Sequence, residues 1–189
     1  YEMPFFQRTL DRHNARRVLD TACGTGWHSI ALAQRGYTAA GCDASPVMIE
    51  KARANAGQAH VNVHFEVADF TQINKFPAAF DAIFCLGNSL PHLLSQEALV
   101  DALRNMRARL HSGGVLILHN LNYDLRLQKK PRFFSANGNV DTLVWRFADY
   151  GPEFITFHTA LFERKIENAS QGAASWSVKV SSTLQRPLL

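Results

Sequence analysis

Residues Val18–Trp27 read VLDTACGTGW, and this stretch decides the fold: an apolar run ending in Asp20 passes straight into a turn containing Gly24 and Gly26. The next residues, HSIALAQRG, predict a helix stopped by Gly36, so the turn joins a strand to a helix. Glycine at such a junction lets the backbone approach a ligand closely, and the helix N-terminus behind it favours anionic or polar groups. A tight strand-to-helix turn that binds nothing uses the same glycines, so the turn alone is weak evidence.

Outward from the turn, short apolar runs alternate with amphipathic segments. TAAGCD predicts a second strand, and Ser45 caps a helix, PVMIEKARANA, that begins at Pro46 and ends at Gly57. In HVNVHFEVAD the residues Val61, Val63, Phe65 and Val67 alternate on one face of a third strand, and FDAIFCL forms the fourth. From Ser95 to Leu110 the apolar residues Leu99, Ala102, Leu103, Met106 and Leu110 share a helical face; Gly113 and Gly114 then break the chain before a fifth strand, VLILH. This order predicts an α/β fold with a doubly wound, Rossmann-like, mostly parallel sheet. Beyond Asn120 a basic loop, LRLQKKPRFF, precedes VDTLVWRFADY, FITFHTALFERK and WSVKVSSTLQ, which predict an antiparallel β meander. Trp176, Val178 and Val180 alternate there with Ser177, Lys179 and Ser181, the pattern of a sheet with one wet face.

The 189 residues, 47% of them hydrophobic, fit one domain spanning 1–189, with 120–189 as its β-rich, substrate-side part. No apolar run approaches the ~20 residues of a membrane span, and YEMPFFQRTLDRH lacks a signal-peptide pattern, so we expect a cytoplasmic protein without membrane contact. The absence of an initial methionine and the stop at RPLL, just past a strand, suggest a trimmed piece of a longer protein. Cys23, Cys42 and Cys85 form no CxxC pair, so buried thiols are expected rather than a disulfide framework or a metal site. The net charge of +4 is spread along the chain and does not demand nucleic acid.

Three carboxylates sharpen the turn's meaning. Asp20, four residues before Gly24, would repel a dinucleotide pyrophosphate but suits a ligand carrying an ammonium and a sulfonium group. Asp43 ends the second strand 23 residues after Asp20, where a ribose-binding acid is expected in such folds. Asp69 follows the third strand, where it can accept from an adenine amino group while Phe70 holds the ring. Any one of them reads as a solvated loop acid; three at successive strand ends do not.

These motifs, VLDTACGTG, GCDAS, VADF and FDAIFCLGNSLPHL, resemble those of class I S-adenosylmethionine-dependent methyltransferases from about Arg17 to Asp124. ACGTG with CLGNSLPHL and the later NYD is similar to the glycine and sarcosine N-methyltransferase group and its bacterial relatives. The resemblance implies S-adenosylmethionine as cofactor, S-adenosylhomocysteine as product, and methyl transfer to a small-molecule acceptor, an amine first of all. It places Asp20, Ala22, Gly24 and Gly26 around the methionine part, Asp43 with Ala44 and Met48 at the ribose side, Asp69 and Phe70 at the adenine, and Leu86 beside the methyl donor. It turns Asn88, His92, Asn122 and Tyr123 toward the acceptor; of these Asn88, His92 and Tyr123 are the catalytic candidates.

Leu121 departs from the resemblance. The glycine-methylating enzymes have arginine there to grip the amino acid carboxylate, which leucine cannot do, although Arg126 or Arg132 could compensate. Among rivals, a nicotinamide dehydrogenase is opposed by Ser29 at the third glycine position of GxGxxG, and a serine hydrolase by the incomplete GxSxG at Gly87–Pro91. A nucleic-acid methyltransferase draws on KKPR and on Arg104, Arg107 and Arg109, but a solvated surface is the plainer reading of both groups, and the fourth strand carries GNSLP in place of an NPPY-type motif. A non-catalytic cofactor-binding module stays open. Trp145, Phe147, Phe157 and Trp176 on the meander suggest a face that pairs with a second copy.

Overall fold

The computed structural model describes residues 2–77, 79–168 and 173–188. The chain forms α1 (Met3–Arg12), β1 (Arg17–Thr21), α2 (Trp27–Ala33), β2 (Thr38–Asp43), α3 (Pro46–Gln58), β3 (His64–Val67), β4 (Phe80–Cys85), α4 (Gln96–Arg109), β5 (Leu110–Leu118), α5 (Tyr123–Lys129), β6 (Phe133–Gly138), β7 (Thr142–Tyr150), β8 (Ile155–Asn168) and β9 (Ala173–Gln185). It divides into two compact units, Tyr1–Leu90 with Gln96–Asn120, and Pro91–Ser95 with Leu121–Leu189.

The first unit is a five-stranded parallel sheet in the order β3-β2-β1-β4-β5. From β1 the chain winds outward through β2 and β3, then crosses to β4, so the strand order reverses at the β1/β4 boundary, where open α/β sheets place their ligands. Met3, Phe6 and Leu10 of α1 and Leu32 of α2 bury against Val18, Ala39, Ala82 and Phe84 of the sheet. A second cluster seats Ile49, Ala52 and Ala56 of α3 on Phe65. Ser45 caps α3 as its sequence predicts, its hydroxyl accepting from Met48 N–H.

Three expectations for this unit change. The β3 ladder covers only His64–Val67; Val61 and Val63 lie outside it yet pack in the same cluster as Phe65 and Val67, so alternation marked the buried side and overstated the strand. Gly57 does not stop α3, which runs to Gln58. Gly113 and Gly114 do not separate a helix from a strand, because β5 begins at Leu110 directly after α4. Phe80 pairs with Leu110 but Ala82 with Val115, so residues 111–114 bulge opposite Asp81. Gly113 takes φ +82°, and a Cβ on Gly114 would stand 3.1 Å from the Asp81 carbonyl oxygen.

The second unit is an antiparallel sheet in the order β6-β7-β8-β9. It has one strand more than the sequence predicts, because β6 begins inside the expected basic loop. That loop also holds α5, where the Asn122 side chain accepts from Leu125 N–H at 2.9 Å and caps the helix. Tyr123 and Leu127 of α5 pack with Ala148, Ile155 and Phe157. Cross-strand register puts Trp145, Phe147, Trp176, Val178 and Val180 on the opposite face of this sheet, so Phe157 does not share the face that its sequence neighbours suggested. Trp176, Val178 and Val180 are all exposed. No helix among the described residues is long and apolar enough to cross a membrane.

Candidate active site

The glycine turn leaves β1 through a run of left-handed residues, Ala22 at φ +62°, Gly24 at +55° and Gly26 at +81°. Cys23 N–H donates to the Cys42 carbonyl at 2.8 Å, which ties the turn to the end of β2. The two glycines serve different ends. A Cβ on Gly26 would stand 2.7 Å from Phe65 Cζ and 3.1 Å from Ala52 Cβ, whereas a Cβ on Gly24 would meet nothing within 4 Å. Gly26 is therefore required by packing, and Gly24 faces open space. Gly41, which the sequence reading passed over, belongs to the same packing: its Cβ would stand 2.8 Å from Phe65 Cε1 and 3.0 Å from Cys23 Sγ.

Asp43 holds the turn from the side. Its Oδ2 accepts from Gly24 N–H and its Oδ1 from Ser45 N–H, each at 2.9 Å. Ala68 N–H donates to the Asp43 carbonyl at 3.1 Å, so the exit of β3 is joined to the same corner. Beyond it Asp69 is exposed, and its Oδ1 accepts from the Thr71 hydroxyl at 2.6 Å and Thr71 N–H at 2.8 Å. The Thr71 hydroxyl is the main reason its pKa lies below the usual value, so Asp69 is a carboxylate with its second oxygen outside that turn. Phe70 is half-buried beside it, and Ala44 and Met48 lie exposed at the β2–α3 corner.

Asp20 is placed differently from the other two acids. It is 2% exposed and accepts from the Ser29 hydroxyl at 3.1 Å, beneath the turn rather than at the surface. Burial pushes its pKa up to about 7, against the Ser29 hydrogen bond and with a further rise from the charge of Asp43. Leu86, also buried, has its carbonyl occupied by the Ser89 hydroxyl at 2.8 Å.

Asn88 follows Gly87, and both take left-handed φ, +66° and +69°. Asn88 N–H donates to the His119 carbonyl and His119 N–H to the Cys85 carbonyl, both at 3.0 Å, so the exits of β4 and β5 are zipped together. The neighbouring Asn120 Oδ1 is buried with no hydrogen-bond partner among the described residues. His92 and Tyr123 belong to the second unit. Tyr123 is 2% exposed, its hydroxyl donating to Gln185 Oε1 at 2.9 Å, and Gln185 Nε2 lies 3.2 Å from His92 Nε2. Gln185 escaped sequence reading because a glutamine near the end of a polar strand carries no signal until its partners are in place.

Residues 18–114 match the family model described as a methyltransferase domain. The chain belongs to the methyltransferase domain family. It is 37% identical over 162 residues to a glycine/sarcosine N-methyltransferase of Parasynechococcus marenigrum, covering 85% of the chain and 57% of that relative. It is 36% identical over 173 residues to a second one from Aphanothece halophytica, covering 85% and 65%. The chain thus spans about three fifths of the length of these curated relatives. Its fold is similar to that of an S-adenosylmethionine-dependent methyltransferase from Clostridium acetobutylicum, with a TM-score of 0.81 at 19% identity over 98% of this chain and 73% of the other.

Four of the arginines are locally engaged. Arg104 pairs with Asp101 at 3.0 Å, and Arg109 donates to the Phe76 carbonyl at 3.1 Å. Arg126 lies 5.0 Å over the Phe134 ring and 5.4 Å over Phe157, and Arg132 pairs with Asp149 at 3.3 Å. The three cysteines are free and buried, and burial pushes Cys85 up to about 11 and Cys42 to about 12, so both stay protonated thiols.

Proposed function

We propose that the protein transfers the methyl group of S-adenosylmethionine to a small-molecule amine, releasing S-adenosylhomocysteine. The observation that carries this is the pairing of Gly24 and Asp43: a backbone turn open to a ligand, locked to an acid at the C-terminal edge of a parallel sheet, one strand from the switch point. The residues suit that cofactor. Asp43 uses one lone pair of each oxygen on the backbone and keeps others for ribose hydroxyls. Asp69 offers its second oxygen to the adenine amino group beside Phe70. Ala22, Gly24 and Gly26 line the methionine part, with Ala44 and Met48 at the ribose side and Leu86 near the methyl donor. Buried beneath them, Asp20 acts through the turn, favouring a cationic ligand over a pyrophosphate.

When bound, the cofactor supplies an already activated sulfonium methyl, so the chain's own part is to align an acceptor lone pair and exclude water. Asn88, His92 and Tyr123 are proposed as the residues that meet the acceptor. Glycine is disfavoured as the acceptor. Leu121 cannot bind its carboxylate, Arg126 packs on two rings, and Arg132 is paired with Asp149. The amine we propose therefore carries its polar groups in another arrangement.

Titration calorimetry with S-adenosylmethionine and S-adenosylhomocysteine, with NAD as control, tests the cofactor. Both sulfur nucleotides should bind, NAD should not, and Asp43→Ala should weaken binding at least tenfold. Folded protein that binds neither would overturn the proposal. A panel of small amines, followed by RNA, then searches for the acceptor.

A further inference from the structure

A carboxamide oxygen only accepts hydrogen bonds and its nitrogen only donates. Gln185, 8% exposed on β9, faces a phenol on one side and an imidazole on the other. The phenolic O–H is the stronger donor and the carboxamide oxygen the stronger acceptor, so Tyr123 gives its proton to Oε1. The amide nitrogen then points at His92 Nε2, 3.2 Å away, which must be the nitrogen without a proton.

We propose that Gln185 is a positioning residue that holds neutral His92 with its proton on Nδ1, so that this histidine offers the methyl acceptor a hydrogen-bond donor and not a base. The segment around His92 is held in place by the residue just past β9: Arg186 N–H donates to the Pro91 carbonyl at 2.8 Å and its guanidinium to the Leu94 carbonyl at 3.0 Å. Burial lowers the His92 pKa, in the sense of an uncharged imidazole.

The chemical consequence deepens the proposed function and rests on it only in putting His92 on the acceptor side. With its lone pair occupied, His92 takes no proton from an ammonium. The amine arrives neutral, or loses its proton to water, before its lone pair displaces the sulfide from the methyl carbon. Nδ1–H instead pairs with an oxygen of the acceptor, which points to an amine that also carries a hydroxyl, carbonyl or carboxylate oxygen.

Nitrogen-15 NMR of the histidine side chains in the whole chain, near neutral pH, reads the tautomer directly and needs neither cofactor nor acceptor. His92 should appear as the Nδ1–H tautomer. Gln185→Leu should shift it toward Nε2–H. Gln185→Glu should convert it fully to Nε2–H and raise its pKa by about one unit, because a carboxylate only accepts. Tyr123→Phe should leave an intermediate mixture, since the phenolic donor to Gln185 Oε1 is removed. An Nε2–H tautomer in the unsubstituted protein overturns the proposal whether or not any variant folds, as does an unchanged tautomer in folded Gln185→Leu. The cofactor reading fails separately, through loss of S-adenosylhomocysteine binding with the tautomer intact.

Discussion

Gly24 and Gly26 stand two residues apart and look interchangeable in the sequence, yet they should respond differently to the same substitution. Gly26→Ala drives a methyl group into Phe65 and Ala52 and adds left-handed strain, so it should cost about 2–4 kcal/mol in denaturant unfolding. Gly24→Ala meets open space and should cost only the ~1 kcal/mol of backbone strain, while S-adenosylhomocysteine affinity drops at least tenfold. Equal stability losses, or an unchanged affinity, would remove Gly24 from the ligand site. Asp20 gives a second test. Its folded pKa, about 7, lies above the ordinary carboxyl value of 3.8, so its contribution to stability is full below about pH 4 and is lost as pH rises through 7. Asp20→Asn should abolish that decline and leave the protein more stable at pH 8 by a few kcal/mol, with little difference at pH 4. A matching pH–stability curve for the variant would mean that Asp20 is solvated. The acids and glycines were legible because their chemistry is set by position along the chain. Gly41, Asn120 and Gln185 were not, because each is defined by a partner from a distant segment: the Phe65 ring, a missing donor, or the pair Tyr123 and His92.

Elements with local signals came through at full length. The α3 start is written in Ser45–Pro46, and β2 in TAAGCD coincides with its strand. The α5 helix was hidden by its basic residues, although Asn122 is a cap and Tyr123 and Leu127 make a buried side; only packing with Ala148 and Ile155 makes that side visible. The bulge at 111–114 was hidden for a related reason, since two glycines read as a break until Asp81 is seen opposite them. Asp81 fastens three strands at their N-terminal ends. It accepts from Arg16 N–H at 2.6 Å and Arg17 N–H at 2.7 Å and pairs with His111 in the bulge at 2.9 Å. Burial raises its pKa, but these partners outweigh that and hold it below 3.8. The linkage sign is therefore opposite to that of Asp20: this stability is present above about pH 4 and lost as pH falls through the lowered value. Asp81→Ala should cost about 2–4 kcal/mol near neutral pH in urea unfolding, by leaving two backbone donors without their acceptor, and much less near pH 2. A loss independent of pH would mean the clamp does not act through charge.

At the scale of the whole molecule, the alternation in WSVKVSSTLQ predicts a sheet with one wet face, yet Trp176, Val178 and Val180 are exposed along with Lys179 and Ser181 on the other side, because which face is wet depends on what the sheet packs against. The face carrying Phe157 is covered by α5. The other leaves Phe133 58%, Trp176 50%, Val178 53% and Val180 56% exposed, far more apolar surface than isolated residues on a monomer present. Phe133 stacks on Trp145 at 5.3 Å and Phe147 on His158 at 4.7 Å, so the patch is a preformed aromatic ladder rather than scattered side chains. An ordered apolar face loses little side-chain entropy when a second copy covers it. Sedimentation of this chain should accordingly show mass rising above 21.1 kDa with concentration in the micromolar range. Val178→Lys with Val180→Lys places two charges on that face and along the β9 edge, and should return the protein to a monomer with unchanged S-adenosylhomocysteine affinity. Because Lys179 and Ser181 already occupy the other side of β9, the double variant alters one face only. Persistent association after it would move the contact elsewhere, and a concentration-independent monomer in the unsubstituted chain would show that water covers the ladder.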